Sequence, residues 1–112
     1  MVWRALIGQI LLYEYIQNNI EFMDDFEIIQ QIERKTNFPL KLKEVWRDGN
    51  ICHYNKYKKA TISVYFGLDI KKRKYIGVRY DTKLSGCGMP CYSIEEAAET
   101  ILNFMKFQES EV

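Results

Sequence analysis

Between Ala60 and Thr82 apolar and polar positions alternate twice, with a basic segment separating the two runs. Ile62, Val64 and Phe66 share one parity and Thr61, Ser63 and Tyr65 the other; Ile76, Val78 and Tyr80 then alternate with Tyr75, Gly77 and Arg79. A period of two with β-branched and aromatic residues is the pattern of a strand with one buried face. The segment between them, Leu68 to Lys74, carries four consecutive cations and belongs at a solvent-exposed hairpin connection. Two strands are marginal in water, so other elements must cover the Ile62/Val64/Phe66/Ile76/Val78 face.

The flanking patterns supply them. From Val2 to about Asn18 the apolar residues recur at helical spacing, and Asn18-Asn19 is a stop. Asp24-Asp25 starts a second helix, with Phe26, Ile28, Ile29 and Ile32 as its stripe, Arg34-Lys35 in its last turn, and Asn37 and Pro39 at its end. One long helix bent near residue 19 fits the same pattern. Leu40 to Arg47 alternates as a strand, with Leu40 and Leu42 on one side and Lys41 and Lys43 on the other, and a phase slip near Trp46 reads as a bulge. Asp48-Gly49 signals a tight turn into a strand over residues 51–55. Residues 83–92 read as a glycine- and proline-containing loop, and Ser93 with Glu96 forms a capping box before a closing helix, Ile94 to about Phe107. The expectation is a single α+β domain over residues 1–112. It has an N-terminal helix or helix pair, a four-stranded antiparallel meander and a C-terminal helix, with the helices packed on one sheet face.

A chain of 112 residues, 47% hydrophobic and 28% charged, buries one core without staples and is not disordered. Three cysteines, no recognisable leader and no uncharged run long enough to span a bilayer point to a cytoplasmic protein with reduced thiols. The net charge of +1 conceals a segregation. Residues 1–33 carry one cation and six anions, residues 34–83 fourteen cations and four anions, and residues 84–112 one cation and five anions. A basic sheet between acidic helices is a statement about partners.

Candidate chemistry follows from that segregation. The sheet face away from the helices is expected to show Lys41, Lys43, Tyr65, Tyr75 and Arg79, with the turns Lys56, Lys58, Lys59 and Lys71, Lys72, Arg73, Lys74 at its rims. Cations contact phosphates and tyrosine rings stack on bases, so nucleic acid or a nucleoprotein is the first partner this surface suggests. The plainer reading is that lysines keep an exposed sheet soluble and unpaired. The densest acidic cluster, Glu21, Asp24, Asp25 and Glu27, suggests the alternative: a protein-binding inhibitor of the immunity-protein, antitoxin or phage anti-defence type. Opposite charges on one chain also favour a homo-oligomer.

Other motifs are weaker. Cys87 and Cys91, with Cys52 and His53, give one short-spaced pair where structural zinc shows two, and Cys52 and His53 point to opposite strand faces. The Ser85–Gly88 turn lacks the Lys-Ser/Thr of a phosphate loop, and the glutamates at 95, 96 and 99 sit where a helix start favours them. No metal, cofactor or catalytic residue is expected, and none of this supports an enzyme. The final segment, with TISVYFG, KKRKYIGV and SIEEAAETI, resembles at the level of pattern the three-stranded-sheet-plus-helix DNA-binding domains of the integrase type, over about residues 50–107. Residues 83–92 are an insertion relative to that pattern. The resemblance implies DNA contact through the sheet.

Overall fold

The structure, a computed structural model, describes residues 19–110. The helix expected over residues 2–18 lies outside them. A single 3-10 turn, Ile20–Phe22, is capped by the Asn19 side chain, whose Oδ1 accepts the Glu21 N–H at 3.0 Å. Met23 and Asp24 are extended, and helix α1 starts afresh at Asp25–Thr36. A helix running unbroken through residue 19 to α1 is therefore ruled out. Asn37, at φ 52, ends α1 in the left-handed conformation that asparagine tolerates.

Five strands come next: β1 (Leu42–Val45), β2 (Ile51–Tyr57), β3 (Ala60–Leu68), β4 (Lys74–Asp81) and β5 (Gly86–Cys91). They pair antiparallel in sequence order, so the sheet is a meander of five strands rather than four. The added strand is the segment expected to be a loop. Gly86-Cys-Gly-Met-Pro-Cys91 has no β-branched residue and two classes of strand breaker, so its local preference is weak. The edge of β4 imposes the conformation, with Ile76 opposite Cys91 and Asp81 opposite Gly86. Pro90 is tolerated because an edge strand has one row of N–H groups with no ladder partner.

Helix α2 (Ile94–Ser110) closes the fold, packing on α1 and across β3, β4 and β5. The Ser93 hydroxyl accepts the Glu96 N–H at 3.1 Å, and the Glu96 carboxylate reaches back to the N–H of Tyr92, one residue before the cap. Lys35 of α1 pairs with Glu95 of α2 at 3.5 Å. The core lies between sheet and helices. Ile62, Val64, Ile76, Val78 and Ile101 are fully buried there, joined by Ile28 and Ile32 of α1. Phe66 is only partly buried, and Phe26 is 59% exposed rather than on the packing stripe.

The first strand departs from its reading. Leu40 is buried in the core before the strand begins, whereas Leu42 is exposed, so the two leucines do not share a role. β1 pairs continuously with β2, Leu42 opposite Tyr54 and Val45 opposite Ile51, without a bulge. The Asp48-Gly49 turn is present. Gly49 adopts φ +88, the Asp48 side chain accepts the Asn50 N–H at 3.0 Å, and Trp46 and Asn50 close the loop.

Candidate functional site

Register fixes which side chains face away from the helices. Residues directly opposite in an antiparallel pair lie on the same face. Val64 is core; its partners His53 and Val78 share its side, and Lys43, opposite His53, does too. Lys41 pairs with Glu33 of α1 at 3.5 Å. Both lysines expected on the open face thus belong to the helix side, because the strand is one face out of phase with the alternation read from Leu40. The open face instead carries Leu42 and Glu44 from β1, Tyr54 and Lys56 from β2, Ser63 and Tyr65 from β3, and Tyr75, Arg79 and Asp81 from β4.

Across this face runs a row of four aromatic rings. Trp46, Tyr65, Tyr75 and Tyr92 succeed one another with centroid separations of 4.9, 6.4 and 6.5 Å. The row begins beside β1 and ends just past β5, so it crosses the whole sheet near one end. Glycines make it possible. Tyr65 stands opposite Gly77 and Tyr75 opposite Gly67. Each ring leans across its strand pair over the glycine, and a Cβ at Gly77 would fall within the Tyr65 ring. The two tyrosines lean in opposing directions and meet nearly edge to face, at 82°. Burial raises the Tyr65 hydroxyl pKa above its ordinary value. A shallow depression of about 470 Å³ opens beside the row, lined by Tyr65, Tyr75, Tyr92, Leu68, Ile70 and Arg79 among others. Ile70 is fully exposed at its lip, and Leu68 is 67% exposed.

The basic turn is less free than its sequence suggests. Arg73 is paired with Asp69 at 2.9 Å, and its guanidinium sits 5.1 Å from the Tyr92 ring centre. The backbone N–H and side chain of Arg73, with the Tyr92 hydroxyl, hold the Asp69 carboxyl below its usual pKa. Lys74 turns to the helix side: it bonds Asp25, donates to the Met23 carbonyl at 3.3 Å and lies 5.0 Å from the Phe66 ring centre. Two of the four consecutive cations therefore have internal partners, and repulsion among them is relieved within the chain. Lys71 and Lys72 remain exposed with no ion pair among the described residues, as does Arg47 in the loop that brings Trp46 to the row. Arg79 is chelated by its neighbour Asp81 at 3.0 Å. Lys58 and Lys59 form the two-residue turn between β2 and β3, at the opposite end of the sheet, and Lys58 lies 5.8 Å from the Tyr57 ring centre.

Sequence reasoning found Tyr65 and Tyr75 but missed Trp46 and Tyr92. Trp46 was hidden by the phase slip after β1, and Tyr92 by the unread fifth strand. The alternative acidic cluster lies together on the 3-10 turn and the first turn of α1: Glu21, Asp24, Asp25 and Glu27 are exposed, and Asp25 is engaged by Lys74.

The cysteines behave as small buried or edge residues. Cys52 and Cys91 are buried, Cys87 is exposed, and all three are free. Burial pushes the Cys52 and Cys91 thiols up, against reactivity at neutral pH. Among the described residues no three histidine, cysteine or carboxylate side chains gather to hold a metal ion, and no helix is long and apolar enough to cross a membrane. Comparison with protein-family models, with curated proteins and with solved structures found no match. The likeness to integrase-type domains thus rests on sequence pattern alone.

Proposed function

We propose that this protein is a non-enzymatic binding module that engages single-stranded nucleic acid on its open sheet face. The observation that supports this most is the row of rings from Trp46 to Tyr92, lying on a face that neither α1 nor α2 covers. Every base has a π-face, so an aromatic row on a sheet is a stacking platform that tolerates sequence; here Tyr92 is exposed, and Trp46, Tyr65 and Tyr75 are half-buried. A duplex hides its base faces and gains nothing from such a row. Arg47, Lys71 and Lys72, exposed beside the rings and without an ion pair among the described residues, provide the phosphate attraction. The test is fluorescence anisotropy with a labelled twelve-residue oligothymidylate. Single-strand binding that falls by about fivefold or more in Tyr65→Ala or Tyr92→Ala supports the reading, since stacking contributes about 1–3 kcal/mol per base. Duplex preferred over single strand, or tyrosine variants that bind as the parent does, refutes it.

One observation favours a second reading. Phe22 and Phe26 are 64% and 59% exposed amid Glu21, Asp24 and Glu27, an apolar-acidic surface suited to a basic protein target of the inhibitor kind. On that reading a partner captured from lysate survives nuclease treatment and is lost in Phe22→Ser/Phe26→Ser.

A further inference from the structure

If the open face binds a single strand, as proposed above, its geometry also sets the direction in which that strand runs. The hairpin turns alternate between two ends of the sheet. The loop after β1, the turn after β3 and the exit of β5 lie at one end, since Val45 stands opposite Ile51, Leu68 opposite Lys74, and Ile76 opposite Cys91. All four rings are at or near that end. So are Arg47, Lys71 and Lys72, which are exposed and have no carboxylate partner among the described residues. The cations on the face toward the other end are not equivalent: Arg79 is neutralised by Asp81 at 3.0 Å, Lys56 is exposed but stands two residues before Lys58 at the far end of β2, and Lys58 and Lys59 sit in a turn remote from the rings.

We infer that the strand crosses the sheet perpendicular to the β-strands, one base per ring from Trp46 to Tyr92, with its phosphates along the rim formed by Arg47, Lys71 and Lys72. Three features point the same way. The successive centroid separations of 4.9, 6.4 and 6.5 Å provide consecutive steps without a gap. Arg47, Lys71 and Lys72, exposed and without an ion pair among the described residues, border the row on its outer side. On the inner side the face carries Arg79 and Lys56 against Asp81 and Glu44, a balance that offers a phosphate path no net attraction there. The footprint is then about four nucleotides, one for each ring.

Two measurements test this path separately from the single-strand reading it rests on. In a length series of oligothymidylates from two to twelve residues, affinity should climb steeply to about four nucleotides and only slowly beyond. Each phosphate contact on a single strand contributes about 0.7 to the slope of log affinity against log salt. Lys71→Gln/Lys72→Gln should therefore flatten that slope by about 1.4, whereas Lys58→Gln/Lys59→Gln should leave it unchanged. All these lysines are exposed, so the variants should melt as the parent does. A slope that responds to Lys58 and Lys59 instead, or to neither pair, overturns the path while leaving single-strand binding standing. An affinity still rising steeply past eight nucleotides overturns it too. If no oligonucleotide binds at all, the functional reading fails and the path with it.

Discussion

Lys74 offers the sharpest test of how the basic turn is built. From the sequence alone it is one of four cations at a hairpin tip, and reversing its charge should shift stability by no more than about 0.5 kcal/mol. In the structure its side chain is only 19% exposed. The ammonium bonds Asp25, donates to the Met23 carbonyl, and lies 5.0 Å from the centre of the Phe66 ring. It thereby ties the first residue of β4 to the start of α1. Lys74→Met keeps the hydrocarbon stem and removes the charge. Its cost is one charge-assisted contact to a half-exposed carboxylate, about 1 kcal/mol, plus a cation–π term of about 0.5 kcal/mol. Lys74→Glu loses both and sets a carboxylate beside Asp25 and a carbonyl oxygen. Full repulsion at contact would approach about 4 kcal/mol at an effective dielectric of 20, and rotation into solvent relieves part of it. The total is about 3 kcal/mol. In a domain of this size that lowers Tm by about 12 °C, against about 6 °C for the methionine variant. Urea denaturation with far-UV circular dichroism measures both, and Asp25→Lys combined with Lys74→Glu should recover at least half of the loss. A Lys74→Glu protein within 0.5 kcal/mol of the parent would falsify this picture of the turn.

Three further outcomes are expected from the same geometry. Gly77→Ala should cost about 1–3 kcal/mol by forcing the Tyr65 ring off the sheet, while Gly67→Ala should cost less because the added methyl meets mainly the hydroxyl end of Tyr75; equal costs would contradict the packing described. Val64→Ala removes two fully buried methyl groups between sheet and α2 and should cost about 1–3 kcal/mol in chemical denaturation, whereas a neutral outcome would mean that row is not core. His53 has its pKa lowered from 6.5 by burial and by Lys43, with Asp25 and Glu33 opposing. A depressed histidine stabilises the fold fully above its unfolded pKa and loses that contribution as pH falls through the folded value, so stability should decline below about pH 6.5. His53→Gln should flatten the decline between pH 7 and 5; an unchanged slope assigns it to other groups.

The parts of the fold that announced themselves were those where local preference and burial agree. Ile62, Val64, Ile76 and Val78 alternate and are β-branched, so their strands could be read from spacing alone, and Ser93 with Glu96 marked the start of α2 at its capping hydroxyl. Where tertiary contact overrode local preference the reading failed. β5 is a strand only because β4 offers it an edge, and nothing in GCGMPC declares that. Leu40 and Leu42 are two residues apart yet lie in different environments, since the chain enters β1 between them, and this put Lys41 and Lys43 on the wrong face. The candidate site inherited both errors. Charge along the chain showed a basic sheet, but which cations have carboxylates beside them depends on pairs such as Lys74 with Asp25, 49 residues apart. The aromatic row was half legible: Tyr65 and Tyr75 by parity, Trp46 only once the end of β1 was placed, and Tyr92 only once the sheet had its fifth strand.

Whether the open face, and not the acidic surface of α1, is where this protein meets its partner can be decided by backbone amide NMR. The full chain is titrated with a four-residue oligothymidylate. Resonances of Trp46, Tyr65, Tyr75, Gly77, Gly88 and Tyr92 should shift together and saturate at one equivalent, while those of Glu21, Asp24, Phe26 and Glu27 stay in place. Shifts confined to the 3-10 turn and α1, or an unchanged spectrum at millimolar oligonucleotide, would contradict binding at the aromatic row.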